Sequence, residues 1–270
     1  MVKNEGDKLE RVIVCEPEKE YFCVANPKAH NIALAADRDK AVVEHRQLQA
    51  LLGESASEVI RLKELPGHPN SVFTRDTSLV TPKGYIKLRM GLPTRRGEEA
   101  WAAAALNSLG VPCAGEIEKP GTVEGGDVIL AGKVALVGRS GRTNASGARQ
   151  LSHLLAGMGF EVRTIVLPPS HLHIGGAMSV VSSDTVLCYE GIFPRGFFQG
   201  FSTIEIPELD SSSANAIALG RKRVIVEKSN TLAARSLRQA GFSVRPVDLS
   251  EFLKGRGGPS CLILPVDRSQ

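Results

Sequence analysis

The sequence predicts one closed α/β domain over residues 1–270, with short strands gathered around an axis and helices on the outside. Three observations carry this. A pattern of two β-branched or apolar runs joined by a short polar turn occurs four times. Helical patterns and then a short strand follow the hairpins, at a spacing of roughly 40 to 50 residues that is typical of radial or stacked repeats. Finally, each end of the chain carries one strand without a hairpin partner. Pairing these two closes the ring and removes two free edges.

In order along the chain, "RVIVCEP" is the unpartnered N-terminal strand, followed by the helical pattern "DRDKAVVEHRQLQALL" and the strand "SEVIRL". The first hairpin, "SVFTRDTSLVTPKGYIKLRM", turns at Pro82-Lys83-Gly84; its helix, "RRGEEAWAAAALNSLG", begins after Thr94 and ends at Gly110. The second, "VEGGDVILAGKVALVG", turns at Ala131-Gly132-Lys133 and leads to the helix "NASGARQLSHLLAGMGF" and the strand "EVRTIVLP". The third, "GGAMSVVSSDTVLCY", turns at Ser182-Ser183-Asp184, but the irregular stretch "EGIFPRGFFQG" stands where the repeat requires a helix, before "STIEIP". The fourth, "SANAIALGRKRVIVE", turns at Gly220-Arg221-Lys222; Asn230 is the N-cap of a helix that stops at Gly241, and "SVRPVDL" follows. The C-terminal "CLILPV" is the strand left to pair with the N-terminus.

Composition narrows the function classes. Hydrophobic residues make up 42% and charged residues 23%, the balance of an ordinary globular protein. The net charge of +4 is scattered and aromatics are few, which argues against a nucleic-acid-binding face. The N-terminus, "MVKNEGDKLERVIV", has no apolar signal core, and no apolar run reaches the roughly 18 residues needed to span a bilayer. The five cysteines are an odd number with no C-x-x-C, so neither a disulfide framework nor a zinc knuckle is indicated. A cytoplasmic protein with free thiols and a small-molecule ligand is the expectation, with no membrane or nucleic-acid partner; the oligomeric state stays open, a homodimer being one option.

The openings of the hairpins hold the chemistry. They read "NSVFTRD", "TVEGGD", "HLHIGGAM" and "SSSAN", with "GGPSC" before the last strand. Glycine at the start of a strand weakens it and admits close approach by something else. In a ring, equivalent positions converge on the axis, so Asp76, Glu124, His171 and Cys261 are expected to meet there. A cysteine thiolate is a nucleophile, a histidine supplies its base, and a carboxylate holds the histidine in its working tautomer. The plainer alternative is a packed cysteine, a solvated histidine and a turn glutamate. Asp76, close to Phe73, suits a planar cation, with the ring on its face and the carboxylate on its edge. Arg95 and Arg142 precede helix starts, where a cation beside helix N-terminal amides makes an anion site; solvated side chains are the alternative. His171 and His173 share one face of a strand, but without an acidic or cysteine neighbour in sequence no metal site is assigned.

The chain resembles the guanidino-group-modifying superfamily, most nearly dimethylarginine dimethylaminohydrolase and arginine deiminase. The resemblance runs from "NSVFTRD" to "PSCLILPV". It implies a five-bladed pseudo-symmetric α/β propeller, the pentein fold, in agreement with the repeat. It also implies roles: Cys261 as nucleophile, His171 as acid–base, Glu124 as the support of His171, Asp76 and Phe73 on the guanidinium, and Asn70, Arg95 and Arg142 on the amino-acid end of the substrate. No cofactor is implied. Where the deiminases place an aspartate two residues after the catalytic histidine, this chain has His173. The implied reaction is hydrolysis of a guanidino C–N bond through a covalent thiouronium. An amidinotransferase that passes the group to an amine is the alternative, and a non-catalytic ribosome-binding relative is a further one.

Overall fold

The computed structural model describes residues 1–55, 57–208 and 212–270. The chain opens with β1 (Lys8–Cys15), α1 (Arg38–Glu54) and β2 (Glu58–Leu62). Asp37 caps α1, its carboxylate accepting the Lys40 N–H at 3.0 Å. Three units then follow one plan. The first is β3 (Ser78–Thr81), β4 (Gly84–Lys87), α2 (Glu98–Ser108) and β5 (Cys113–Glu116). The second is β6 (Val128–Ala131), β7 (Val134–Arg139), α3 (Ala145–Gly157) and β8 (Glu161–Val166). The third begins with the single helical turn α4 (Ile174–Ala177), then β9 (Met178–Ser182), β10 (Thr185–Tyr189) and β11 (Ser202–Ile206). The fourth is β12 (Ala216–Gly220), β13 (Arg223–Glu227), α5 (Thr231–Gln239) and β14 (Ser243–Val247). A short α6 (Ser250–Leu253) leads to β15 (Leu264–Ser269).

The result is five three-stranded sheets, β3-β4-β5, β6-β7-β8, β9-β10-β11, β12-β13-β14 and β15-β1-β2. In each, an antiparallel pair adds a parallel third strand. A parallel neighbour needs a crossover, which α2, α3, α5 and α1 supply in four of the sheets. In the third sheet, residues 190–201 cross without a helix, and the packed rings of Phe193, Phe197 and Phe198 cover the sheet instead, with centroids 4.7–5.4 Å apart. The first strand of each antiparallel pair that faces its neighbours, namely β3, β6, β9, β12 and β15, lies innermost, and successive units touch through these strands and the turns before them. The inner strands β3, β6 and β12 are wholly buried, whereas the outer β2 and β8 hold no fully buried residue. This is the five-bladed α/β propeller. β1 pairs with β15, so the two ends of the chain share one blade.

The openings differ from the strand starts expected of them. Pro69–Val72, Thr74–Asp76, Gly125–Asp127 and Pro259–Leu262 are 3₁₀ turns, and Ile174–Ala177 is the single turn α4. Proline lacks the N–H that a ladder needs, and glycine lowers strand propensity, so these residues bond locally, as Cys261 N does to Gly258 O at 3.1 Å. The chain therefore turns tightly beside the axis before each inner strand, and side chains project from the turns into the hollow. Among the described residues no helix is long and apolar enough to cross a membrane.

Candidate active site

Two adjoining hollows open where the five turns meet. One, of about 250 Å³, is lined by Cys261, His171, His173, Arg142, Arg256 and Asn215 among others. The second, of about 30 Å³, is lined by Asn70, Phe73, Asp76, Arg95 and Glu124, and again by Cys261 and His173. All eight residues singled out in the sequence thus border one or other hollow, and Cys261 borders both.

Cys261 is half-buried on its 3₁₀ turn. The preceding glycines make room for it. A Cβ on Gly257 would lie 2.1 Å from Phe73 Cε1, closer than side-chain carbons ever sit, and one on Gly258 would lie 2.8 Å from Asn215 Oδ1. Asn215 anchors the turn. Its Nδ2 donates to Ser260 Oγ at 2.7 Å and to Gly175 O at 2.8 Å, reaches Cys261 Sγ at 4.0 Å, and its Oδ1 accepts Ser260 N–H at 2.9 Å. Burial, reinforced by the Asp76 carboxylate and only partly offset by Arg75 and Arg95, pushes the Cys261 thiol up to about 12.

The histidine and carboxylate pairing corrects the sequence reading. Glu124 does not bond His171. Its Oε2 lies 3.0 Å from His173 Nε2, and its Oε1 accepts the N–H groups of Gly91 and Leu92 at 3.0 and 2.9 Å. His173 Nδ1 stands 3.8 Å from Asp76 Oδ1. The imidazole is therefore held between two carboxylates, with Asp127 close by. Burial disfavours its charged form, but Asp76, Asp127 and Glu124 together outweigh burial and hold His173 well above the usual histidine value. Burial likewise opposes the Glu124 charge, yet His173, Arg95 and Arg142 keep its carboxyl well below the usual range. Two residues of spacing decide which histidine meets Glu124. His173 immediately precedes α4 and meets Glu124, while His171, two residues earlier, packs against Tyr189.

His171 is buried, edge-on to the Tyr189 ring with centroids 6.1 Å apart, and its Nδ1 is 3.1 Å from Ser170 Oγ. Among the described residues the carboxylate nearest its Nε2 is Glu208, at 3.4 Å without hydrogen-bond geometry, and Nε2 has no hydrogen bond there. Glu208 carried no signal in the sequence: it follows the strand "STIEIP" and sits in no motif.

Each oxygen of Asp76 accepts one hydrogen bond. Arg95 Nη1 donates to its Oδ2 at 2.6 Å and Gly126 N to its Oδ1 at 3.0 Å. Arg95 does not stand free at the start of a helix, as the sequence reading has it. It lies on a 3₁₀ turn, 4% exposed, and its guanidinium is also bonded to Glu98, to Phe73 O at 2.9 Å and to Asn70 O at 3.3 Å. Four charge-assisted or carbonyl bonds spend most of its five donors on the protein. Arg142 is less committed, its Nη1 3.7 Å from Glu124 Oε1. Asn70 gives its Nδ2 to His30 O at 3.1 Å, and its buried Oδ1 has no partner among the described residues.

Sequence reasoning missed Arg256. It borders both hollows, is exposed, and takes a left-handed φ of 62°, unusual for any residue but glycine. An arginine set among the glycines of "KGRGGPSC" was the available signal. The stretch "VANPKAHN", residues 24–31, borders the smaller hollow: His30 and Asn31 line it, and Thr94 Oγ1 donates to Ala29 O at 3.1 Å.

Asp76, Glu124 and His173 present ligand atoms within 4.8 Å of one another and so could surround a cation. The guanidinium of Arg95 and the backbone amides of Gly91, Leu92 and Gly126 already occupy those carboxylates. The cluster is an ion-pair network that borders the hollow next to the Cys261 thiol.

Comparison with known proteins agrees with this chemistry. The family model for arginine deiminase matches residues 18–208. A dimethylarginine dimethylaminohydrolase from Pseudomonas aeruginosa is 32% identical over 84% of this chain and 89% of its own length. An arginine deiminase from Listeria welshimeri is 26% identical over 74% of this chain but only 62% of its own length. A solved structure of the Pseudomonas aeruginosa dimethylarginine dimethylaminohydrolase, a cysteine-to-serine variant complexed with citrulline, superposes with a TM-score of 0.85 at 29% identity, covering 95% of this chain and 99% of that one.

Proposed function

Since the chain belongs to the arginine deiminase family, we propose that it is a cysteine-dependent hydrolase that cleaves a guanidino C–N bond of arginine or of an Nω-methylated arginine, giving citrulline and ammonia or a methylamine. The observation that carries this reading is the meeting of Cys261, two histidines and two buried carboxylates at two adjoining hollows that share Cys261 and His173, from turns in four different blades. The near-complete coverage of the methylarginine hydrolase, against partial coverage of the longer deiminase, favours the methylated substrate.

In this reading the α-carboxylate meets Arg142 and Arg256, and the α-amine meets the unpartnered Oδ1 of Asn70. Arg95, saturated by the protein, acts by fixing Asp76. Asp76 receives the guanidinium edge and Phe73 lies against it. A thiol held at about 12 is inert at neutral pH, so the substrate has to supply the activation. A unit positive charge at 4 Å from the sulfur, at an effective dielectric of 20, favours the thiolate by about 4 kcal/mol, or about three pH units. Cys261 then passes its proton to His171 and attacks the guanidino carbon as the thiolate. His171 is the better acid–base because its Nε2 has no hydrogen bond, whereas both nitrogens of His173 face carboxylates. His171 gives its proton to the departing amine, which leaves a thiouronium on sulfur, and then takes one from the water that releases the ureido product. General acid–base help of this kind is worth about 10²- to 10⁴-fold.

The test is a screen of arginine, mono- and dimethylarginine, agmatine and simple guanidines, assaying ammonia, methylamines and the ureido product separately, with an added amine in parallel. Release of ureido product from an arginine derivative, lost in Cys261→Ser, is expected. Transfer of the amidino group to the added amine without ureido product would make the protein an amidinotransferase, and no turnover of any guanidine would remove the enzyme reading.

A further inference from the structure

The larger hollow does not end at Cys261. It continues between the inner strands, past Ile129, Val180, Ala218 and Pro265, to Glu5, Arg75 and Arg268. Arg268 stands four residues along β15 from Leu264, about 13 Å of strand. The N-terminal segment crosses this far end: Asn4 bridges to Ala131, and its Nδ2 donates to Ser183 O at 2.8 Å, so the segment lies against the hairpin turns of the second and third blades. The strand walls here are apolar, yet three charged side chains stand between them.

Those charges are unevenly paired. Arg75 is 7% exposed; its Nε donates to Gly125 O at 3.3 Å, and its Nη2 to Val128 O and Glu5 Oε1, both at 2.7 Å. Glu5 Oε1 also accepts the Leu130 N–H at 3.2 Å. Arg268 is half-buried, and its bonds go to carbonyls: Nη1 donates to Asp7 O at 2.6 Å and to Ala218 O at 2.8 Å. Its Nε is sealed from solvent and has no partner among the described residues. These bonds leave Arg75 Nη1 and Arg268 Nη2 uncommitted as well. An N–H left unpaired away from water is costly, more so on a charged group. Asp7 offers Arg268 its backbone carbonyl, and burial raises its carboxyl above the usual range. Burial, opposed by Glu5 and joined by the nearby charge of Arg75, brings Arg268 down to about 10. It therefore stays a cation at neutral pH, short of negative charge.

We propose that this end of the larger hollow is an anion site, where Arg268 and Arg75 together hold a small monovalent inorganic anion of halide size. One charge suffices, because Glu5 already answers Arg75 and only Arg268 is left over. Ile129, Val180 and Pro265 supply no donor, so a single spherical ion held by two guanidinium edges is satisfied there, whereas an oxyanion with three or four oxygens is not. The site lies apart from the guanidino site and does not rest on that reading.

The test follows thermal unfolding of the protein in sodium chloride, bromide or gluconate, at fixed ionic strength and pH 7. A site half-filled at about 10 mM and read at about 100 mM multiplies the folding constant about tenfold, a rise of about 3–5 °C in Tm for a chain of this size. The halides are expected to give this saturable rise over gluconate. Arg268→Met, compared with itself in the same salts, is expected to lose it. Crystals grown in bromide locate the ion, with an anomalous peak expected between Arg75 and Arg268; should Arg268→Met not fold, that peak decides alone. Equal Tm in the three salts, a halide increment that survives in Arg268→Met, or bromide found only beside Arg142 and Arg256 overturns the site. None of these outcomes bears on the guanidino reading, which the substrate screen tests separately.

Discussion

Gly257→Ala tests how the nucleophile turn is built. The position has no left-handed φ, so an alanine meets no backbone strain and the whole effect is steric. The added methyl lies 2.1 Å from Phe73 Cε1, 2.6 Å from Cδ1 and 3.0 Å from Cζ. Carbon atoms prefer about 3.5–4.0 Å, so ring and turn have to separate by about 1.5 Å. The ring cannot simply retreat: it is 4% exposed and stands edge-on to Tyr21, centroids 5.8 Å apart, with Gly255 against its far side. Overpacking of this kind costs about 1–3 kcal/mol. A displacement near 1 Å at a reacting group costs about 10²-fold in rate. Urea unfolding gives the first quantity and turnover of the best substrate from the screen gives the second. Phe73→Leu removes Cε1 and Cζ, two of the three clashing atoms, so in the double variant part of the lost stability should return, with a coupling of about 0.5–3 kcal/mol. A Gly257→Ala protein as stable as the parent, or one whose defect is additive with Phe73→Leu, would refute this account of the turn.

Other outcomes follow from the same geometry. Asn215→Ala leaves Ser260 N–H and Gly175 C=O without their partner, at about 1–3 kcal/mol for each buried group; kcat should fall more than KM rises, whereas a pure rise in KM would move Asn215 from the turn to the ligand. Asp76→Asn should weaken guanidine binding in calorimetry, and unchanged affinity would shift the cation site elsewhere. The ion pair makes stability depend on pH. His173 is raised, so its contribution is full below about pH 6.5 and is lost as pH rises through the raised value. Glu124 is lowered, so its contribution is present above about pH 4.5 and is lost as pH falls through the lowered value. The stability difference between the parent and Glu124→Gln/His173→Gln should therefore peak between about pH 4.5 and 6.5, and a flat difference across that scan would contradict the pairing. Glu124→Gln alone leaves a buried cation short of a partner and should cost about 3–5 kcal/mol.

Much of the fold was legible because it is written in local chemistry. The turn residues Lys83-Gly84, Gly132-Lys133, Ser183-Asp184 and Arg221-Lys222 lie between buried apolar runs, and Asn144, Asp37 and Gly110 mark helix ends in the usual way. β5, "CAGE", escaped notice because it has no alternation and pairs only with the edge of β4. The openings were misread as strands because a 3₁₀ turn of three or four residues leaves no periodicity to detect. The residue types of the site were legible, but their partners were not. Glu124 lies 47 residues from His171 and 49 from His173, and only the direction in which the chain turns before α4 decides between them. Arg95 looked free because Asp76, nineteen residues earlier, is brought to it by the Thr74–Asp76 turn, and because Glu98, three positions on as the first residue of α2, turns back onto it.

The central claim is that Cys261 is the nucleophile at a hollow built for an organic cation. Acid quenching during turnover of the best guanidine from the screen, followed by peptide mass spectrometry, addresses it directly. The account predicts an added amidino-substrate mass on the peptide carrying Cys261, absent in Cys261→Ser. Undiminished turnover by Cys261→Ser, or an adduct on Cys15, Cys23, Cys113 or Cys188 in its place, would contradict it.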